Sequence, residues 1–324
     1  MVVLKGERLK ILGGEKMELK TRVDDKKVFA KIGLAILICM IVVNVVQSIY
    51  FTVVTVVDPA LVQKPWINYL AIAISFYFIG FPIFYVMVKK LPDGEKKEVK
   101  SLSVGRIISL FFMSYAMVYI LNLLTSLLLM LVGVLRGSEV INPIANVVGN
   151  STWIWSLIFV GILSPIVEEM MFRGVMLNKV RPYGDKVAIV TTAILFGLFH
   201  ANFSQFFYAV ALGMIFAYIT LKTGTIKYSI ILHMMVNIVG SVIMPAIVGD
   251  GSNVVLVGTA SIVLITVSII GIVLLVKNRK NISLFNGEIQ LEKGTAFKTI
   301  WLNFGMIAYS VICLASMIYI LIAV

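Results

Sequence analysis

The sequence predicts an all-α polytopic membrane protein of about eight to nine transmembrane helices. Three observations predict it. Of 324 residues, 60% are hydrophobic and only 14% are charged, whereas a soluble domain carries about 25% charged residues. Mean hydropathy is +1.01. Apolar runs of 20 or more residues recur along the chain, and each can cross roughly 30 Å of hydrocarbon as a helix. In that solvent every backbone group must be paired internally, which favours helices. The alternating pattern of a membrane barrel is absent.

The elements follow in order. Residues 1–31 read as a polar, mixed-charge leader, expected to be cytoplasmic. No cleavable signal peptide stands in the usual place, because the first apolar run begins near Ile32 and is of span length. Spans are expected near 32–57, 66–88, 107–135, 152–178, 187–202, 205–221, 228–248, 254–276 and 300–324. The fifth and sixth are short. These group into N-terminal transmembrane helices (32–144), a core (145–248) and C-terminal transmembrane helices (249–324). Cys39 and Cys313 both fall in apolar runs and read as small buried hydrophobes, not as a disulfide pair.

The net charge of +12 points to lipid and topology, not to nucleic acid, because the basic residues sit in short connections. Lys-rich and Lys-poor connections alternate without exception, 25 basic residues against two, with Arg173 alone inside a span. The positive-inside rule then predicts a plasma-membrane protein with its N-terminus in the cytoplasm.

Chemistry is expected from the polar residues inside the spans. The fourth span reads SPIVEEMMFRGV and holds Glu168, Glu169 and Arg173. Each such charge costs at least about 2.5 kcal/mol to insert. Glu169 and Arg173 are four apart and share a helix face. Glu168 is rotated about 100° away, free of that pair. Pro165 should kink the span and open room beside Glu168. The uncharged stretch 187–221 should form a short hairpin, with His200 before its polar turn. His233 and Asn237 are four apart on the seventh span. Asn44, Gln47 and Asn122 are assigned packing roles. Counting about 1.5 Å per residue from the nearest basic residue puts Glu168 roughly 16 Å deep, His200 about 21 Å, His233 about 9 Å and Asn237 about 15 Å. One cavity could collect all four.

A carboxylate with a histidine is a competent general-base pair for water. A histidine and an amide facing one point can stabilise an oxyanion. Together they suit amide hydrolysis by water. A zinc site on Glu168, His200 and His233 and metal-free water activation both stay open.

The set Glu168-Glu169-x-x-x-Arg173, Phe196-x-x-x-His200 and His233-x-x-x-Asn237 resembles the CPBP (Abi) family of CAAX-prenyl-type and bacteriocin-processing or immunity-related intramembrane proteases. The likeness covers roughly residues 145–248. It implies a CPBP-type helical core and an endopeptidase of glutamate or metallo type. Glu168 and His200 would activate water, and His233 and Asn237 would bind the oxyanion. Glu169 and Arg173 would form a supporting pair, with Phe196 part of the second motif. The implied substrate is a membrane-associated protein or peptide in CAAX-type or bacteriocin- or pheromone-type processing. Two other readings stand beside it: a non-catalytic immunity or scaffold protein on the same fold, and a proton-coupled transporter using Glu168, His200 and His233 as a relay.

Overall fold

The structure is a computed structural model that describes residues 24–95, 97–140, 152–249, 251–292 and 294–323. Its long elements are α1 (Asp25–Val57), α2 (Pro65–Val88), α3 (Val104–Arg136), α4 (Trp153–Tyr183), α5 (Asp185–Phe199), α6 (Phe203–Thr223), α7 (Lys227–Val248) and α8 (Val254–Asn281). The short α9 (Ala296–Trp301) precedes α10 (Phe304–Ala323). Eight of these are long and apolar enough to cross a membrane. The chain is thus an all-helical integral membrane protein.

The helix ends follow local chemistry. Asp24, Ser103, Asn202 and Asn253 each cap a first turn by accepting a backbone N–H two or three residues on. α6 stops at Gly224, whose φ of 67° only glycine adopts freely. Two differences from the expected boundaries have simple causes, and the expected short fifth span is found. Helix α1 starts at Asp25, inside the expected leader, because Asp24 caps it. Residues 300–324 do not form one helix. Asn303 interrupts them, its amide donating to the Ile300 carbonyl at 2.9 Å and its Oδ1 accepting from Met306 N–H at 3.0 Å. The fifth span is only 15 residues long, about 22 Å at helical rise.

That short helix still completes a leg of the bundle. At its start, Asp185 meets the basic connections: Lys97 Nζ lies 3.6 Å from its carboxylate. Lys100 N–H bonds the Thr223 carbonyl, and Lys222 Nζ bonds Ser283. Tyr183 donates to Asp25 at the start of α1. Four basic connections therefore gather at one end of the bundle. Arg136, from a Lys-poor connection, instead bonds the Leu321 carbonyl near the end of α10. The α5–α6 turn, with Asn202 and Phe203, shares a small crevice with that same stretch of α10.

α5 and α6 pack as a hairpin, with α3 and α7 also against α6 and with α4 against α7. α1 packs on α2 and α10, and α8 lies on α3. α3 and α8 expose apolar side chains along most of their length, as a lipid-facing layer should. The α1–α10 contact is very close: a Cβ at Gly305 would overlap the Ala30 carbonyl. Small residues let helix backbones touch in a membrane. Gly305→Val is therefore expected to cost about 1–3 kcal/mol, read as a lower melting temperature of the purified protein.

Three helices, α2, α4 and α7, contain four segments of wide turns in which N–H bonds run to the carbonyl five residues back. Three of these segments, Ala73–Gly80, Ser156–Leu163 and Val239–Ile243, lie immediately before Pro82, Pro165 and Pro245. A proline supplies no N–H, and its ring pushes the preceding turn apart. The break expected at Pro165 takes this form. The fourth segment, Met170–Met176, carries Arg173.

Candidate active site

A cavity of about 510 Å³ opens among α1, α2, α4, α5, α6 and α7. Glu168, His200, His233 and Asn237 all line it, as does Phe196. Glu169 and Arg173 do not. The 100° rotation between the adjacent acids thus sends one carboxylate into the cavity and the other behind its wall.

The wall is anchored by Glu169 and Arg173, both fully buried. Arg173 Nη1 donates to Glu169 Oε1 at 2.7 Å. The Arg173 guanidinium also lies 4.3 Å over the Phe196 ring, a desolvated cation–π contact. Phe196 then presents an edge-to-face contact to His200 and another to His233, at 5.0 and 5.9 Å. One aromatic ring therefore locates both histidines. Glu169 has a second partner that the sequence did not suggest. Its Oε1 also accepts from His233 Nδ1 at 3.0 Å. Glu169 is more than the partner of Arg173, because it fixes the ring of His233 as well.

These bonds set the tautomers. A carboxylate and a carbonyl can only accept, so the proton lies on Nδ1 of each ring. His200 Nδ1 donates to the Phe196 carbonyl at 2.9 Å, leaving Nε2 with a lone pair. His233 Nε2 stands 3.8 Å from Glu168 Oε2.

His200 ends α5 at a tight turn. Ala201 adopts a left-handed φ of 50°, at a cost of roughly 1–2 kcal/mol. Asn202 stabilises that turn, donating to the His200 carbonyl and to Gln205 Oε1, each at 2.7 Å.

Asn237 is positioned by the proline of another helix. In the wide turn of α4, Ser164 N–H bonds the Phe159 carbonyl. The next bond of that series would join Pro165 to the Val160 carbonyl, and Pro165 has no N–H. Asn237 Nδ2 donates to that carbonyl at 3.0 Å. Its second amide hydrogen has no protein partner among the described residues.

The cavity also holds polar residues that sequence reasoning set aside. Asn44 and Gln47, assigned to packing, line it. They are three apart on α1, a spacing that marks a shared face. Tyr77 and Ser164 line it and share a hydrogen bond of 2.7 Å. Gln205 and Tyr208 complete this set. Asn122 lies elsewhere, bonded to Ser126 on α3.

The suggested zinc set is not assembled. Among the described residues, no three His, Cys, Asp or Glu side chains converge as metal ligands. Glu168, His200 and His233 line one cavity without forming such a group.

The family model for Rce1-like, type II CAAX prenyl endopeptidases matches residues 150–239. The match covers 90 of the 324 residues and overlaps the stretch that resembles the CPBP motif set. The matched segment runs from just before α4 to the second half of α7, and it contains Glu168, Glu169, Arg173, Phe196, His200, His233 and Asn237. The matched model describes prenyl endopeptidases, so the likeness at this segment is to a protease family. No curated protein and no solved structure matches the chain.

Proposed function

We propose that the protein is an intramembrane endopeptidase that hydrolyses a peptide bond of a membrane-associated protein or peptide with Glu168- and His200-activated water. One observation carries this reading. Glu168, both histidines and Asn237 line a single cavity, while the buried ion pair beside them is kept out of it.

In this mechanism Glu168 takes a proton from water as its oxygen attacks the scissile carbonyl. The lone pair on His200 Nε2 orients that water. As the carbonyl becomes an oxyanion, it accepts hydrogen bonds from Asn237 Nδ2 and from His233 Nε2–H. The Glu169 carboxylate on His233 Nδ1 offsets the positive charge that donation from both ring nitrogens requires. The C–N bond then breaks, and the proton held by Glu168 passes to the leaving amine. Asn44, Gln47 and Gln205 offer the polar wall that water needs at this depth.

The family match favours a CAAX-type prenylated protein end as the substrate class, with bacteriocin- or pheromone-type precursors next. The gathered basic connections support a cytoplasmic N-terminus in the plasma membrane. The test is to reconstitute the protein in liposomes with prenylated and unprenylated membrane peptides and to map fragments by mass. Asn237→Ala is expected to lower kcat about 10²-fold, the effect of losing one oxyanion donor. Cleavage of no peptide, or equal cleavage by wild type and His200→Ala, would sink the reading.

A further inference from the structure

A second cavity, of about 570 Å³, opens at the basic end of the bundle. Its lining is strongly cationic: Lys89, Lys97, Arg173, Lys179 and Arg181 face a single acid, Asp93. That acid is already paired, with Lys179 Nζ at 2.9 Å. Arg181 bonds the Glu95 carbonyl. Two cationic groups are left under-satisfied. Arg173 is 1% exposed, and its Nη2 has no hydrogen-bond partner. Lys97 Nζ is buried without a hydrogen bond. It has only an ion-pair distance of 3.6 Å to Asp185 and the face of Phe285 at 4.6 Å.

Buried donors without acceptors are costly. An oxyanion in this cavity would give Arg173 Nη2 an acceptor and would add a neighbour to Lys97, which also lines the adjoining crevice where its Nζ lies near Asp185 and Phe285. Burial also holds the Lys97 ammonium below the ordinary lysine range, and Asp185 offsets only part of this. The outer lining is apolar. Tyr85 and Val99 belong to the same cavity and are 48% and 68% exposed. Tyr85 continues an outward strip of α2 that includes Phe78, seven residues earlier and 75% exposed. Cations inside and an apolar lip outside, at the membrane boundary, match a phospholipid better than a free anion, which has no use for the lip.

We propose that this cavity binds the phosphate of an anionic phospholipid headgroup, with Lys97 and Arg173 at its inner end, Lys89 at its rim and an acyl chain along Tyr85 and Val99. The bound headgroup touches the guanidinium that holds Glu169, which in turn holds His233. The site is therefore one buried residue away from the candidate active site. Its occupancy is independent of whether the protein is a protease, and the test reads binding alone.

The full chain, purified in neutral detergent, is titrated with phosphatidylglycerol, with phosphatidylcholine and with inorganic phosphate. Retained lipid is counted by native mass spectrometry. Phosphatidylglycerol is expected to bind at least about fivefold more tightly than phosphatidylcholine. Lys89→Gln and Lys97→Gln should each weaken it several-fold. The exposed Lys298→Gln, on α9 away from the cavity, should leave it unchanged. Lys89 is exposed and its side chain makes no hydrogen bond among the described residues, so its replacement leaves the fold intact. Equal binding of the two lipids, or unchanged binding in Lys89→Gln and Lys97→Gln, overturns the site. Inorganic phosphate binding as tightly as phosphatidylglycerol overturns the lipid as its occupant.

Discussion

Glu168→Gln is expected to slow peptide cleavage by about 10²–10⁴-fold, the usual contribution of a general base. The substitution keeps size and hydrogen bonding while removing the group that accepts a proton from water. Glu168 lies in the cavity wall and has no ion pair with Arg173 among the described residues. The melting temperature should therefore stay close to that of the wild type. The check is a paired measurement on reconstituted protein, fragment yield beside thermal stability. Full activity in Glu168→Gln would remove the carboxylate from the mechanism. No cleavage by the wild type itself would instead favour a binding role on the same fold.

The largest stability effect is expected at the pair behind the wall. Arg173→Met leaves the Glu169 carboxylate in the bundle interior with His233 alone. Breaking a buried ion pair on one side costs about 3–5 kcal/mol. The single variant should accumulate poorly and melt well below the wild type. Combining it with Glu169→Leu removes both charges, and such replacements are often neutral or better. The double variant should therefore regain most of its melting temperature. It should not regain cleavage, because His233 Nδ1 has lost its acceptor. Recovery of both would show that Glu169 serves stability alone. Recovery of neither would show that the interior cannot close over apolar side chains here.

Much of this was legible in the sequence, for physical reasons. Span-length apolar runs leave little choice but helices, and a charge inside such a run is conspicuous because it is expensive. Helical rotation separated Glu168 from Glu169 before any coordinates did. Less legible was whatever depends on two helices meeting. The bond between Glu169 and His233 joins residues 64 apart, and no spacing rule reaches that far. Asn44 and Gln47 keep packing bonds, to the Met40 carbonyl and to Ser75 on α2, and their place in the cavity lining depends on which helices meet there. Whether Glu168, His200 and His233 converge as ligands is likewise a matter of helix placement, and residue types alone could not decide it. The boundary errors were local. Asn303 and Asp24 cap helices inside or beside sequence that hydropathy alone would smooth over.

The bond from Asn237 to Val160 bears on how such a protein is made. α4 enters the membrane carrying an acceptor that its own backbone cannot satisfy, because Pro165 has removed the donor. The donor arrives on α7, some 70 residues later in synthesis. Until then the nascent bundle holds an open carbonyl and two acids in lipid, a state that favours waiting for the later helix over settling with the wrong neighbour. The same docking event seals the wall and delivers Asn237 to the cavity. Under the proposed function, a partly assembled chain therefore lacks the amide that completes the cavity until α7 docks.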